Sequence, residues 1–313
     1  MLRRASVVFA FALVACAAAP AASHMPSIAP GVRVGGVAVG GLTSEPARTR
    51  LEKDFSRVIP VVRGKRNWWG VPQRLGAGAT IDTAVSEALN AKPGTNLTLK
   101  IDYSPAKIRR FVDHIARSVD RDAIDAKLVG LGPSGPEISD GAAGLAVRRA
   151  LLQRELELQL RKGLREPIGV PTRPVEPSVT RANFGPVIAI SRATNTLSLY
   201  ESTTLVRRFS VATGQSQYPT PAGTWSIVTM QRNPWWIPPN SPWAQGEKPV
   251  PPGPGNPLGT RWMGLSAPGV GIHGTPDAAS IGYSASHGCI RMQIPDAEWL
   301  FEHVHVGVPV VIT

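Results

Sequence analysis

"GIHGT" (Gly271–Thr275) and "SASHGCIRM" (Ser284–Met292) carry two of the six histidines and one of the two cysteines of the 313-residue chain. The other cysteine, Cys16, lies within the first twenty residues, so Cys289 is a lone thiol in the rest of the chain. A thiol attacks a carbonyl as the thiolate, and at an ordinary pKa of about 8.5 few cysteines are ionised at neutral pH. A neighbouring imidazole takes the proton and can later return it to a leaving amine. His273 and His287 supply two imidazoles, one for that transfer and one to orient or donate a hydrogen bond. "HGC" also places the N–H groups of Gly288 and Cys289 where an oxyanion would form, and Gly288 has no Cβ to obstruct a substrate. Together these features predict acyl transfer through a thioester.

Two other readings of these residues stay open. Cys289 could be a small buried hydrophobe, since free cysteines are among the most buried residues. Zinc held by His273, His287 and Cys289 is the second, although His-x-Cys is an awkward ligand spacing and no fourth ligand is apparent. The remaining histidines fit neither reading. His24 lies near the N-terminus, His114 falls among the polar positions of a helix, and His303 and His305 are two apart on a helix end and so point to different sides.

The N-terminus predicts the compartment. "MLRR" is a basic opening, "ASVVFAFALVA" (Ala5–Ala15) an apolar core, and "CAAAPAAS" (Cys16–Ser23) a small-residue stretch where a signal peptidase could cut. Residues 1–23 therefore read as an export leader, and "LVAC" (Leu13–Cys16) also resembles a bacterial lipobox, which would anchor the chain through a lipid on Cys16. No later run approaches the roughly 20 apolar residues of a membrane helix. The formal net charge is +12 at a charged fraction of only 18%, so the excess of Lys and Arg is spread thinly. There is no dense basic run or nucleic-acid motif, and a diffuse positive field suits work beside an anionic polymer such as a cell wall.

Residues 31–170 read as an α+β module without a cluster of acids, histidines or thiols. A helix is expected from Ser44 as cap, with Ala47, Leu51 and Phe55 on one face, and a second over "IDTAVSEALNA". "NLTLKID" (Asn96–Asp102) alternates like a half-buried strand. Ser104 and Pro105 open the clearest helix, with Ile108, Phe111, Val112, Ile115, Ala116 and Val119 as its apolar stripe. "DAKLVG" and "GPEISDG" form an expected hairpin, and "GLAVRRALLQRELELQLRKG" (Gly144–Gly163) a fourth helix. Prolines 171, 174 and 177 then mark residues 171–183 as a stiff linker.

From residue 184 the pattern is mostly β. "PVIAIS", "TLSLYES", "TLVRRFSVATG", "GTWSIVTMQ", "RWMGLS", "GVGIHG" and "GVPVVIT" are short runs rich in Val, Ile, Thr and aromatics, and only "DAEWLFEHV" looks helical. Nine prolines and three tryptophans (Trp235, Trp236 and Trp243) crowd Asn233–Gly259. Trp is costly to leave in water, so an ordered flap over a cleft is favoured over a disordered linker or a ligand for a proline-reading domain.

"IHGT", a gap and then "SHGCIRM" resemble the signature of the L,D-transpeptidase catalytic domain, the YkuD-like family. The resemblance runs from about Pro186 to Thr313 and includes "TPAGTW", the "NPWW" stretch, "PPGPGNPLG" and "GVPVVI". Residues 31–180 are similar to the peptidoglycan-binding module that often precedes such domains. The resemblance implies a β-sandwich-like catalytic fold with a short C-terminal helix and needs neither metal nor organic cofactor. Cys289 matches the nucleophile, His273 the histidine that activates it, and His287 a second motif histidine. Gly288 and Cys289 would form the oxyanion hole, Gly274 would orient the first histidine through its carbonyl, and Ser286 and Arg291 are further orienting or substrate-binding candidates. The implied partners are donor and acceptor stem peptides of peptidoglycan, joined between third residues with release of D-alanine. Water, a free D-amino acid or a protein amine could replace the acceptor, and a scaffold that no longer catalyses is the remaining class.

Overall fold

Short runs rich in Val, Ile, Thr and aromatics build the sheet on which the motif sits, and several of its strands are buried almost throughout. The computed structural model describes residues 25–313; the expected leader and Cys16 lie outside the described residues. The chain divides into two compact units, one made of residues up to Ser118 together with Arg148–Pro171, the other of Val119–Val147 with Thr172–Thr313.

The second unit holds an eight-stranded sheet in the order Thr204–Ser210, Thr196–Glu201, Pro186–Ser191, Pro309–Ile312, Gly223–Arg232, Arg261–Leu265, Gly271–Thr275, Ile290–Gln293. Two pairings are parallel, Pro186–Ser191 with Pro309–Ile312 and Gly271–Thr275 with Ile290–Gln293; the others are antiparallel. Gly223–Arg232 joins the two halves. Its first residues pair with Pro309–Ile312 and its later ones with Arg261–Leu265, and the register shifts between Ile227 and Thr229. Such an irregularity bends a strand and increases its twist.

Ile188, Ile190, Leu197 and Leu199 from one side of that bend share a single buried cluster with Met263, Ile272, Ile290 and Met292 from the other. The two halves therefore cover each other as the layers of a sandwich do. Each large aliphatic side chain withdrawn from water contributes about 1.5–3 kcal/mol. The helix Ile294–Glu302, with Pro295 in its first turn, adds Ala297, Leu300 and Phe301 to the same cluster. The mostly β reading with a short C-terminal helix is thus borne out.

In the first unit, the helix Ser44–Phe55 buries Ala47, Leu51 and Phe55 as expected, with Thr43 rather than Ser44 in the capping position. Ile81–Leu89 packs Ala84, Val85 and Ala88 into a core shared with Val32, Val34 and Leu51. Pro105–Val119 buries Ile108, Val112, Ile115, Ala116 and Val119, while Phe111 stays half-buried.

Three expectations are corrected. "NLTLKID" is two short strands, because Asn96–Leu97 pairs in parallel with Arg33–Val34 whereas Ile101–Asp102 pairs with Gly78–Ala79. The fourth helix starts at Arg149, since Gly144–Val147 is a strand held against Thr172–Val175. That pairing makes Thr172–Val175, within the stiff connection expected over 171–183, a strand of the second unit; Thr180 and Asn183 then cap each other across a short 3-10 turn. The hairpin of Leu128–Gly132 and Gly135–Ile138 forms as expected and belongs to the second unit.

Candidate active site

Gly271–Thr275 is buried at every residue and lies between Arg261–Leu265 and the edge strand Ile290–Gln293. Ile272, Ile290 and Met292 point into the core. Side chains alternate along a strand, so His273 and its register partner Arg291 share the opposite face. Cys289 immediately precedes the edge strand, in the turn that follows Ser284–Ser286. It is half-buried, and its Sγ lies 3.7 Å from the carbonyl oxygen of Gly269.

The His273 Nδ1 is 2.6 Å from the Gly274 carbonyl oxygen. A carbonyl only accepts, so Nδ1 carries the proton and Nε2 keeps its lone pair. Burial pushes the pKa of His273 down to about 4, the Arg291 guanidinium adds to the effect, and the Gly274 carbonyl opposes it. Burial also pushes the Cys289 thiol up, against a backbone hydrogen bond from Gly271 and the Arg291 charge. The resting groups at neutral pH are therefore a thiol and a neutral imidazole rather than an ion pair. An unprotonated Nε2 can accept the thiol proton as the sulfur attacks.

Gly288 stands at φ +110°, a conformation that glycine adopts freely, and both of its peptide groups are held. Its N–H donates to Ser286 Oγ at 3.1 Å, and its carbonyl accepts from Thr220 Oγ1 at 3.0 Å. Thr220 is fully buried and also accepts from the Gly214 N–H at 2.8 Å. Ser286 Oγ in turn donates to the Cys289 carbonyl at 2.5 Å. The expected pair of oxyanion donors is thus unequal: the Gly288 N–H is committed to Ser286, leaving the Cys289 N–H as the donor not tied to that hydroxyl.

His287 is exposed but sits between two rings. Trp243 stacks on it at 4.2 Å between centroids and 7° between planes, and Tyr218 lies tilted at 5.2 Å. Burial lowers its pKa, with Arg291 as the second cause. Trp243 belongs to the proline-rich stretch, which is an ordered loop. Trp236 and Val250 exchange backbone hydrogen bonds, and the buried Asn256 places Nδ2 2.8–3.2 Å from the carbonyls of Pro234, Val250 and Pro251. A proline-rich stretch has few N–H groups to pair its own carbonyls, and this one side-chain amide reaches three of them, that of Val250 in addition to its bond from the Trp236 N–H. Trp236 stands 6.5 Å from Trp243, whereas Trp235 is 57% exposed. Among the described residues no group of three or more His, Cys, Asp or Glu side chains is arranged to hold a metal ion, so the zinc alternative has no ligand set.

Residues 185–312 match the family described as "L,D-transpeptidase catalytic domain". The curated "Putative L,D-transpeptidase YqjB" of Bacillus subtilis is 35% identical over 133 residues, which cover 41% of this chain and 71% of that protein. The chain belongs to the L,D-transpeptidase family. A second Bacillus subtilis relative, "Putative L,D-transpeptidase YkuD", is 34% identical over 125 residues, 40% of this chain and 64% of its own. An L,D-transpeptidase from Mycobacterium smegmatis overlaps 63% of this chain and 84% of its own at 16% identity, with a TM-score of 0.37, too low to bear on the fold. Residues 72–168 match the family described as "Putative peptidoglycan binding domain", so this L,D-transpeptidase joins a wall-binding type of module to its catalytic domain.

Four residues of this L,D-transpeptidase site escaped the sequence reading. Thr220 and Tyr218 flank the motif turn from a distant loop. Trp262 is the register partner of His273, its ring 5.9 Å away. A Cβ on Gly271 would come within 2.3 Å of that indole, so the glycine that opens "GIHGT" makes room for Trp262. Asp277 lies 3.6 Å from the Arg291 guanidinium, the one cation that shifts His273, His287 and Cys289 alike.

Proposed function

We propose that this L,D-transpeptidase is exported and cross-links peptidoglycan through a thioester on Cys289. Sγ attacks the carbonyl of the third residue of a donor tetrapeptide stem as its proton passes to His273 Nε2. The bond to the terminal D-alanine breaks, and that amine leaves with the proton from His273. A side-chain amine of a second stem then attacks the thioester, its proton returns through His273 to Sγ, and the two third residues are joined. The Cys289 N–H donates to the oxyanion at both stages, with the Gly288 N–H joining when Ser286 gives way. No metal or organic cofactor enters these steps. The place of action is outside the cytoplasm, in cell wall or periplasm, with the leader or a lipid on Cys16 as the membrane tether; no helix of the described residues is long and apolar enough to cross a membrane.

The observation that supports this reading most directly is a lone thiol beside a strand that holds a buried, neutral, tautomer-fixed His273 on the face it shares with Arg291. The test is intact-mass analysis of the full chain after incubation with a stem tetrapeptide. Mass should rise by the tripeptide acyl group, D-alanine should appear, and a cross-linked dimer of stems should follow. Cys289→Ala should abolish all three. Cross-links formed at the normal rate by Cys289→Ala would sink the reading, and product masses separate a second stem from water, a D-amino acid or a protein amine as acceptor.

A further inference from the structure

His273 is only 4% exposed although it stands on the face of the sheet turned away from the core. Trp262, His273 and Arg291 are paired in one row across three neighbouring strands, so their side chains rise side by side with the imidazole in the middle. The next row on that face is Gly264 opposite Gly271, because Met263, Leu265 and Ile272 alternate into the core. The Trp262 indole leans over both glycines. A Cβ on Gly271 would overlap its Cη2, and one on Gly264 would lie 2.9 Å from its Nε1. The indole stands 5.9 Å from the His273 ring, with 30° between the planes.

Packing into the core does not explain this tryptophan. Among the described residues the partly buried hydrophobic side chains set against the core cluster are Trp225, Met230 and Trp299, and Trp262 is not one of them. An indole is costly to leave half in water, and glycine weakens a strand, yet two strand positions lack a side chain where this indole lies. The charged groups near His273 do not cover it in the same way. Arg291 is the one charge that acts on the ring, from the other side of the row, and it is tied to Asp277 at 3.6 Å. The motif turn contributes the Cys289 thiol and His287, which burial and Arg291 keep from protonation. Arg261, next to Trp262, turns to Glu298 and Glu302. The helix Ile294–Glu302 packs on the core face, with Asp296 and Glu302 held by Arg207 and Arg232.

We propose that Trp262 is the positioning residue of His273: its indole, seated on Gly264 and Gly271, closes the imidazole to water and holds it upright between itself and Arg291. The role deepens the reading of His273 as proton acceptor and rests on that reading for its bearing on catalysis. A dry imidazole resists protonation, so a ring covered by Trp262 can still accept a proton in acid, where an open histidine would already carry one. Removing the indole admits water, favours the imidazolium and frees the ring to tilt.

NMR titration of the full chain with labelled histidine rings, the His273 signal assigned from His273→Gln, tests this beside the pH profile of Cys289 acylation by a stem tetrapeptide. In the parent protein His273 should titrate at about pH 4. Trp262→Ala should move that midpoint up by about one pH unit or more, about ten-fold in proton affinity, and the acid limb of acylation should move with it. Trp262→Phe keeps a flat ring should Trp262→Ala fail to fold, and its shift should be smaller and in the same direction. Gly271→Ala displaces the indole while leaving it in the chain, and should shift both measurements as Trp262→Ala does. Trp235→Ala, at an exposed tryptophan of the same unit, should match the parent. A His273 midpoint unmoved in every folded variant of Trp262 and Gly271 would overturn the proposal, as would an equal shift in Trp235→Ala. A midpoint that moves while acylation is absent or keeps its pH profile would uphold the role of Trp262 and break the reading of His273 as the base.

Discussion

His273, Thr220 and Ser286 in the catalytic unit are buried and hydrogen-bonded, whereas Trp69, Lys107 and Arg110 in the first unit stand in solvent without an ion pair. The rigid side of the contrast fits the acyl transfer proposed for Cys289. Breaking and making an acyl bond needs atoms held to a fraction of an ångström, which strands, buried hydroxyls and fixed tautomers supply. Long exposed side chains free of such ties keep their rotamer freedom and would be ordered only on contact with something else.

Replacing His273 tests the rigid side of that contrast most severely. His273→Gln keeps a hydrogen-bonding group of similar size but removes the proton acceptor, so acylation followed by intact mass should slow by about 10²–10⁴-fold. A loss of less than ten-fold would place the base elsewhere. Acid should expose the same residue thermodynamically. The folded-state pKa of His273, about 4, lies below the ordinary 6.5, so folding favours the neutral ring. Its contribution is fully present above pH 6.5 and is lost as pH falls towards 4, by on the order of 3 kcal/mol. Urea midpoints at pH 7 and pH 4 should therefore differ more for the parent protein than for His273→Gln.

Thr220→Val removes the hydroxyl that bridges Gly214 and Gly288 and leaves the Gly214 N–H without its acceptor. A stability loss of about 1–3 kcal/mol is expected, with slower acylation and recovery of both in Thr220→Ser. Unchanged acylation in Thr220→Val would mean that the turn at Gly288 is held by Ser286 alone. Trp243→Ala should have the smallest effect, because it removes one stacked ring from an exposed histidine, worth about 0.5–1.5 kcal/mol. It should raise KM for the donor stem more than it lowers kcat, and Trp235→Ala, which loses no ring contact, should do neither.

The sequence was most informative where contacts are periodic. The stripe of Ile108, Val112, Ile115, Ala116 and Val119 and the Val- and Ile-rich run through Val187–Ile190 are local patterns, and both appear in the structure as a buried helix face and a strand. It misled where a partner strand decides. Gly144–Val147 looks like the start of a helix until Thr172–Val175 is beside it, and Asn96–Asp102 divides because its two ends answer to different neighbours. At the candidate site, Cys289, His273 and His287 are singled out by their small neighbours and by the family resemblance, and their roles stand as proposals. Thr220 was not, since a threonine in a turn gives no sign that its hydroxyl will close on a carbonyl 68 positions later. Arg291 was visible as a residue but not as the shared charge, because its influence depends on the parallel register with His273.

That parallel register also bears on how the site assembles. Gly271–Thr275 and Ile290–Gln293 are joined by a short connection that contains the motif turn itself, with one brief 3-10 turn at Ala278–Ser280 on the way. Closing a loop of this size costs little chain entropy compared with bringing together distant parts of a sheet. The two halves of the motif can therefore meet early and cheaply, while the strand Gly223–Arg232 and the Asn256-tied loop that surround them depend on contacts far along the chain. Protection against amide hydrogen exchange should accordingly develop first across His273 and Arg291 and only afterwards around Trp236 and Val250.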